Sequence, residues 1–338
     1  MCDGFKNDTL CVSSESMDIA FYTVTDSHHF LGVVGLVNSL RLVGHDEPVF
    51  VTDAGLTAEQ RSVLNPVATV VPSPEGVRAE LAKTVAPRLH PASVMVVLDA
   101  DVLVVKHFGP LVDIARSGKL VVFENNMPGR FFDQWSSLGL GTPVRNTYVI
   151  AGHFLGARSR MLPMLETVAR LEEGLDPSRS YFGGGALADP LYFGDQDIMN
   201  AYLMTAADPE SVVRLSKSLS PVPPFRRIHR VQGVRCVGPG GLEPYVLHHI
   251  LRKPWLARTR RNVYVDVLRH VLWAPEAPIS LEPIDVPLRL RPSLLGRLEL
   301  RRVSAQATIV ALARGQLDVR GKVSRTSRRL ARRVARLA

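Results

Sequence analysis

The sequence predicts an α/β protein with a mixed, mostly parallel central sheet. Three observations carry this expectation. Short apolar runs recur at residues 19–24, 48–52, 68–73 and 94–98, each followed by polar or turn residues. Helical segments lie between them through the first hundred residues, the alternation of a layered α/β domain. The run from Val94 to Leu98 is apolar at every position, as in a strand covered on both faces. Ligands of such sheets bind beyond the carboxyl ends of the strands. Asp26, Asp53, Asp99 and Asp101 all follow candidate strands.

Taken in order, IAFYTV opens the sheet, and FLGVVGLVNSLRLVG is too densely apolar for anything but a well-covered helix. PVFVT is the second strand. Thr57 followed by Gln60 makes a capping box for a helix over residues 58–64. ATVVPS is a strand, residues 75–89 a helix, and the 94–98 strand follows. Residues 108–118 connect to a strand in KLVVFENN. Residues 127–143 read as an exposed loop with aromatic content, suited to lining a pocket. TYVIAGHFLGARS reads as a strand interrupted by Gly152 and His153. Residues 160–172 read as a helix with Pro163 in its first turn, where proline is tolerated. Asp195-Gln196-Asp197 opens the next helix, its acids matching the helix dipole.

Composition narrows the function classes. Of the 338 residues, 46% are hydrophobic, enough for one large core with an extension. The polar N-terminus lacks the pattern of a signal peptide. Cys2, Cys11 and Cys236 are too few and scattered for a disulfide framework or zinc site. A reducing, cytoplasmic location fits. The net charge of +9 sits mainly in the tail: eight of the 41 Lys and Arg lie between Arg320 and Ala338, which holds no acid, leaving 33 bases against 32 acids before it. Specific nucleic-acid binding by the body is therefore not expected. The tail has helical spacing of Val323, Ser327, Leu330, Val334 and Leu337, so it is a candidate for contact with an anionic membrane on the inner face of the cell membrane, with docking on the body or disorder as alternatives. The chain divides into a polar tail (1–16), the α/β domain (17–275), an extension of uncertain fold (276–319) and the basic tail (320–338). No dinucleotide fingerprint or Walker loop follows the first strand, which argues against a classical NAD enzyme or P-loop NTPase.

Asp99 and Asp101 are the sharpest chemical feature. Spacing i, i+2 sets both on one side of an extended chain, a site for a hard cation that also holds phosphate oxygens. The alternative is a strand end with one capping and one solvated acid. The segment LHHILRKPWL adds imidazoles and Lys253, suited to a metal and to phosphate respectively. Carboxylate and phosphate oxygens suit Mg²⁺ or Mn²⁺, and a nearby imidazole favours Mn²⁺.

In order and spacing, Val97-Leu98-Asp99-Ala100-Asp101-Val102-Leu103-Val104, Asp195-Gln196-Asp197-Ile198-Met199-Asn200 and Lys253-Pro254-Trp255 resemble glycosyltransferase family 8, which includes glycogenin and lipopolysaccharide galactosyltransferases. The likeness runs roughly from Met17 to Trp255. It implies a GT-A fold and transfer of a hexose from a UDP-sugar, with Mn²⁺ and with retention, to a glycan, lipid-linked or small-molecule hydroxyl acceptor. It further implies that Asp99 and Asp101 hold metal, Asp26 faces uracil, and Lys253 touches the phosphates. Gln196 would lie beneath the sugar, Asp195 would hold its hydroxyls, and Lys83 would stand where the family keeps an arginine. Gly152 falls in the strand that lines the sugar, where Ile150 replaces the usual asparagine. The family's terminal histidine and glycine are displaced: Leu247 occupies the histidine position, so His248 is the expected third metal ligand, with His249 second. A sugar-nucleotide or nucleotidyl transferase, and a catalytically inactive binding or scaffold protein, are the alternatives.

Overall fold

The computed structural model describes residues 17–75, 79–125, 127 and 130–313. The first half builds a parallel sheet from β1 (Ile19–Thr25), β2 (Val49–Asp53), β3 (Thr69–Pro72) and β4 (Val94–Leu98). Between them run α1 (Phe30–Leu42), α2 (Ala58–Leu64) and α3 (Val85–Leu89). The capping box at Thr57 and Gln60 is present. The stretch expected as one helix over 75–89 is instead a 3₁₀ turn, Ala79–Thr84, followed by α3. Its Pro87 has no N–H to bond back to Lys83, so the two pieces do not join as one α-helix.

The chain then reverses direction. β5 (Val102–Val104) leaves the main sheet, α4 (Gly109–Arg116) returns the chain, and β6 (Leu120–Glu124) pairs antiparallel with β7 (Val149–Ala157). After α5 (Arg158–Glu173) and α6 (Asp195–Thr205), β8 (Val212–Leu215) closes the edge. Strand order is β3-β2-β1-β4-β7-β6-β8. Only the two pairings of β7, with β4 and β6, are antiparallel in this sheet, which is therefore mixed and mostly parallel as expected.

β7 is one continuous strand rather than an interrupted one. The irregularity at Gly152 and His153 lies in its pairing: β6 passes from Val122–Phe154 to Phe123–Ile150, so Ala151 to His153 bulge away from β6 while His153 still pairs with β4. Pro163 sits in the second turn of α5, because that helix begins at Arg158.

Side-chain alternation along β4 divides the core. Val94, Val96 and Leu98 face the layer that contains α1 and α7 (Val263–Val271). Met95 and Val97 face α5 and α6. Before α7, the hairpin β9 (His229–Gln232) with β10 (Arg235–Val237), and then β11 (Val246–His248), complete the strands. The extension after residue 275, unassigned from sequence, packs Ile279, Val286 and Leu290 into the same core and ends in α8 (Leu294–Ala313), which adds Leu300 and Val303. The basic tail at 320–338 and the polar tail at 1–16 lie outside the described residues. No helix among the described residues is long and apolar enough to cross a membrane.

One buried amide ties the extension to the sheet layer. Asn38 of α1, with no exposed surface, donates to the carbonyls of Val271 (2.9 Å) and Ile279 (3.0 Å) and accepts from the Ile279 N–H (3.0 Å). Asn38→Leu leaves all three groups buried without partners. Equilibrium urea unfolding is expected to show a loss of about 3 kcal/mol, given the cost of each orphaned polar group.

Candidate active site

The two carboxylates at the end of β4 are brought together by a turn, not by strand alternation. The Val102 N–H bonds back to the Asp99 carbonyl (3.0 Å), so Asp99 to Asp101 curl at the carboxyl end of the sheet. The chain leaves that turn directly into β5, and β5 pairs antiparallel with β11, placing His248 opposite Val102. A three-residue ladder thus delivers an imidazole from nearly 150 residues away in sequence. His248 Nε2 lies 3.1 Å from Asp101 Oδ1 and 3.8 Å from Asp99 Oδ2. The three residues offer one ligand atom each within 4.8 Å of one another.

Gly152 makes that convergence possible. The Asp99 N–H bonds its carbonyl (2.7 Å). A β-carbon there would stand 2.3 Å from His248 Cε1 and 2.8 Å from Asp99 Oδ2, inside van der Waals contact. His153, the next residue of β7, is fully buried and sets its ring edge-to-face against His248 at 5.4 Å, while its Nε2 shares a hydrogen bond with Ser220 Oγ. Sequence reading did not single out His153 for this supporting role.

The fit to a divalent cation rests on an orphaned acceptor. Asp101 Oδ1 is buried and accepts no well-aligned hydrogen bond: its neighbour is His248 Nε2 at 3.1 Å, itself a ligand atom, and Lys253 donates to the other oxygen of the same carboxylate. A buried carboxylate oxygen without a donor is costly, and a cation bound between it, Asp99 and His248 would satisfy it. The donor set, two carboxylates and one imidazole, suits Mn²⁺ or Mg²⁺.

Cations of the chain itself hold the remaining acids. Lys83 Nζ bridges Asp99 Oδ1 (2.8 Å) and Asp195 Oδ2 (2.7 Å) and donates to the Ala151 carbonyl (3.0 Å). Burial alone would lower the Lys83 pKa, but Asp195 and Asp99 outweigh it and raise it. Burial pushes the Asp195 carboxyl up, against the pull of Lys83. For Asp101 burial also acts upward, and the charges of His248 and Lys253 overcome it, leaving the carboxyl far below its ordinary value. Lys253 also donates to the His249 carbonyl (2.8 Å). Its neighbour Trp255 is pinned by an indole hydrogen bond to the His28 carbonyl (2.8 Å) and packs where Gly32 leaves room on α1.

Gln196 sits at the first turn of α6 beside Asp195. Its Oε1 accepts from the Ala151 N–H (3.2 Å) and Asn125 Nδ2 (3.4 Å), and its Nε2 donates to the Tyr148 hydroxyl (3.2 Å). Asp197, expected only as a dipole-matching acid, is instead buried in a bidentate pair with Arg130 (2.6 Å to each oxygen), and it accepts from Tyr148 and the Phe193 N–H. Arg130 and Trp135 are buried, so residues 127–143 are not simply an exposed loop. Neither Arg130 nor Tyr148 was anticipated; the doubled acid of Asp195-Gln196-Asp197 was the one hint that a buried cation was needed.

Asp26 lies just beyond β1, where its Oδ1 accepts from the His29 N–H (2.8 Å) and Nδ1 (2.9 Å); these bonds outweigh its partial burial and lower its pKa. Asp53 caps the following turn through Gly55 and Leu56 and pairs with Arg61. His249 points away from the carboxylates into Phe225 and Tyr264, and burial lowers its pKa to about 4.

With the geometry in place, the solved structures add the fold. The apo structure of WbbM, a bifunctional glycosyltransferase, matches with a TM-score of 0.51 at 14% identity, over 78% of this chain and 51% of that one. The fold is of the GT-A type. This chain spans about half the length of WbbM. Also similar are the galactosyltransferase LgtC in complex with donor and acceptor sugar analogs (TM-score 0.48, 15% identity, 76% of this chain and 98% of that one) and an active-site mutant of LgtC (0.45, 16%, 70% and 89%). No protein-family model and no curated protein sequence matches the chain.

Two expectations follow from the geometry. Gly152→Ala should weaken Mn²⁺ binding at least about tenfold, read by electron paramagnetic resonance titration, because the new methyl group separates the ligands. The second concerns Glu172 of α5, buried with both carboxylate oxygens unpartnered. Burial, and then the charge of Asp195, raises its pKa from 4.5 to about 9. Folding therefore takes up a proton, and the stability this provides is full below pH 4.5 and is lost as pH rises toward about 9. Glu172→Gln should remove that loss. In paired denaturation curves its advantage over wild type should grow steadily from pH 5 to pH 8.5, by at most about 1.4 kcal/mol per pH unit.

Proposed function

We propose that this chain is a metal-dependent glycosyltransferase that moves a hexose from a UDP-sugar to a hydroxyl acceptor with retention at the anomeric carbon. The observation that carries this reading is the convergence of Asp99, Asp101 and His248 on one point at the carboxyl end of the sheet, flanked by Lys253 and the Lys83–Asp195 pair. Three carboxylates against two ammonium groups leave one uncompensated negative charge when His248 is neutral. A divalent cation reverses that sign and makes the site attractive to a diphosphate.

When bound, the cation supplies electrostatic stabilisation of the charge that grows on the leaving diphosphate. Asp99, Asp101 and His248 would hold it. Lys253 exchanges Asp101 for phosphate oxygen, since an ammonium group serves either acceptor. Asp26, at the end of the first strand, faces the base. Lys83 holds Asp195 in place for the sugar hydroxyls, and Gln196 lies beneath the ring.

Transfer breaks the bond from the anomeric carbon to the phosphate oxygen and forms one to the acceptor oxygen. The acceptor's proton passes to the departing phosphate oxygen. A covalent route would need a nucleophile under the ring. Gln196 is a poor one, Asp195 is committed to Lys83, and Asp197 is buried against Arg130. Attack from the leaving-group face is therefore the route the side chains favour.

The test is turnover of a panel of nucleotide-hexoses, followed as release of nucleotide diphosphate with and without Mn²⁺. UDP-hexose should be consumed only with metal. Asp101→Asn should lower kcat about 10²- to 10³-fold, the scale of losing one electrostatic element of a polar active site. Metal-independent turnover, or full activity in the variant, would remove the metal assignment.

A further inference from the structure

The hydrogen-bond directions around Gln196 are fixed by an acid that can only accept. Asp197 is held as a carboxylate by the bidentate guanidinium of Arg130 (2.6 Å to each oxygen) and is buried. Tyr148 has one proton to give, and its hydroxyl lies 2.7 Å from Asp197 Oδ1. That proton must go to the carboxylate, because ionised carboxylates do not donate. The Tyr148 oxygen is then an acceptor toward Gln196, 3.2 Å away, so the group facing it is the amide nitrogen. The other end of the amide agrees: the Ala151 N–H is a donor, and the group it meets at 3.2 Å must be the Gln196 carbonyl oxygen. Asn125 Nδ2 approaches the same oxygen at 3.4 Å.

We propose that Tyr148, oriented by the Arg130–Asp197 pair, is a positioning residue that locks the Gln196 side-chain amide with its carbonyl turned onto β7, leaving one N–H as its uncommitted hydrogen-bonding group. This rests on the transferase reading for its consequence. An amide that presents N–H is complementary to an oxygen of the bound donor or acceptor sugar, and it offers no oxygen to the anomeric carbon. Gln196 in this setting acts as a hydrogen-bond donor and not as a nucleophile.

Arg130 extends the lock to the surrounding loop. It donates to the carbonyls of Leu187 (2.9 Å) and Asp189 (2.8 Å), and its guanidinium stacks on Phe132 and Phe193 at 4.7 and 4.8 Å. The loop before α6 and the loop after β6 are therefore joined through the same cation that sets the proton order at Tyr148.

The experiment compares wild type with Tyr148→Phe, which removes one hydroxyl and leaves the Arg130–Asp197 pair intact. In wild type, the Gln196 side-chain amide, assigned in ¹⁵N spectra by its absence in Gln196→Glu, should give two resolved proton signals with slowed exchange. In Tyr148→Phe these signals should move toward free-amide positions, with exchange at least about tenfold faster. UDP and Mn²⁺ affinities should stay within about twofold, while kcat for UDP-hexose falls at least about tenfold and KM changes little, as expected when an interaction made in the transition state is misplaced. An unchanged Gln196 amide signal, or a kcat within about twofold of wild type, overturns the proposal. If wild type turns over no nucleotide-sugar, the transferase reading fails, and the amide signal alone decides whether Tyr148 positions Gln196. Should Tyr148→Phe unfold, Arg130→Lys, which keeps the charge but loses the fork, is read the same way: a kcat loss without change in UDP affinity supports the lock, and its absence overturns it.

Discussion

The site depends on keeping several acids together in a partly dry place. Asp99, Asp101 and Asp195 would repel one another strongly where water is scarce, and isolated ionised carboxylates are not left buried. The chain answers with two lysines from opposite ends of the fold. Lys83 arrives from the 3₁₀ turn before α3 and bridges Asp99 to Asp195. Lys253 arrives after β11 and holds Asp101. Neither lysine donates to Asp101 Oδ1, which faces His248 without a well-aligned donor. That imbalance separates this cluster from an ordinary buried salt-bridge network, in which every oxygen has a partner.

Much of this was legible in the sequence, for a local reason. Asp99 and Asp101 follow an unmistakable buried strand, Asp195 and Gln196 open a helix, and Lys253 is fixed by the Pro-Trp after it. Each signal is contained in a few consecutive residues. The parallel order of β1 to β4 was legible on the same terms, since alternation of strand and helix dictates it. What could not be read was partnership across the chain. Arg130 meets Asp197 across 67 residues and Tyr148 meets it across 49, and an arginine in an aromatic loop looks like solvated surface. The choice between His248 and His249 was likewise undecidable from spacing. It is made by the register of β11 on β5, where the pairing of His248 with Val102 turns one ring to the carboxylates while the next packs into Phe225.

The bulge in β7 shows how a local departure from regular pairing serves a site. A regular strand through Ala151, Gly152 and His153 would bond to β6 along its length. Freed from β6 at these residues, the Ala151 N–H is available to Gln196 and its carbonyl to Lys83. One peptide segment thereby orients two side chains that are 113 positions apart in sequence. In the sequence Gly152 and His153 mark the right residues but read as a break in the strand; the physical content is which neighbour is released.

The extension after residue 275 belongs to the same argument. Arg289 donates to the carbonyls of Pro254 and Trp255 (2.8 Å each) and so holds the backbone next to Lys253. From the other side, Trp255 bonds the His28 carbonyl and fits against Gly32, whose missing side chain is required: a β-carbon there would lie 2.5 Å from the Ala100 carbonyl and 2.8 Å from the indole. Ala100 is the residue between Asp99 and Asp101. The indole, the glycine and the Asp99–Asp101 turn are therefore packed as one block, with Arg289 behind it. An ammonium on a flexible four-carbon stem holds no fixed position by itself. Lys253 has one because the backbone that carries it is clamped between α1 and a segment that sequence patterning alone left without a fold.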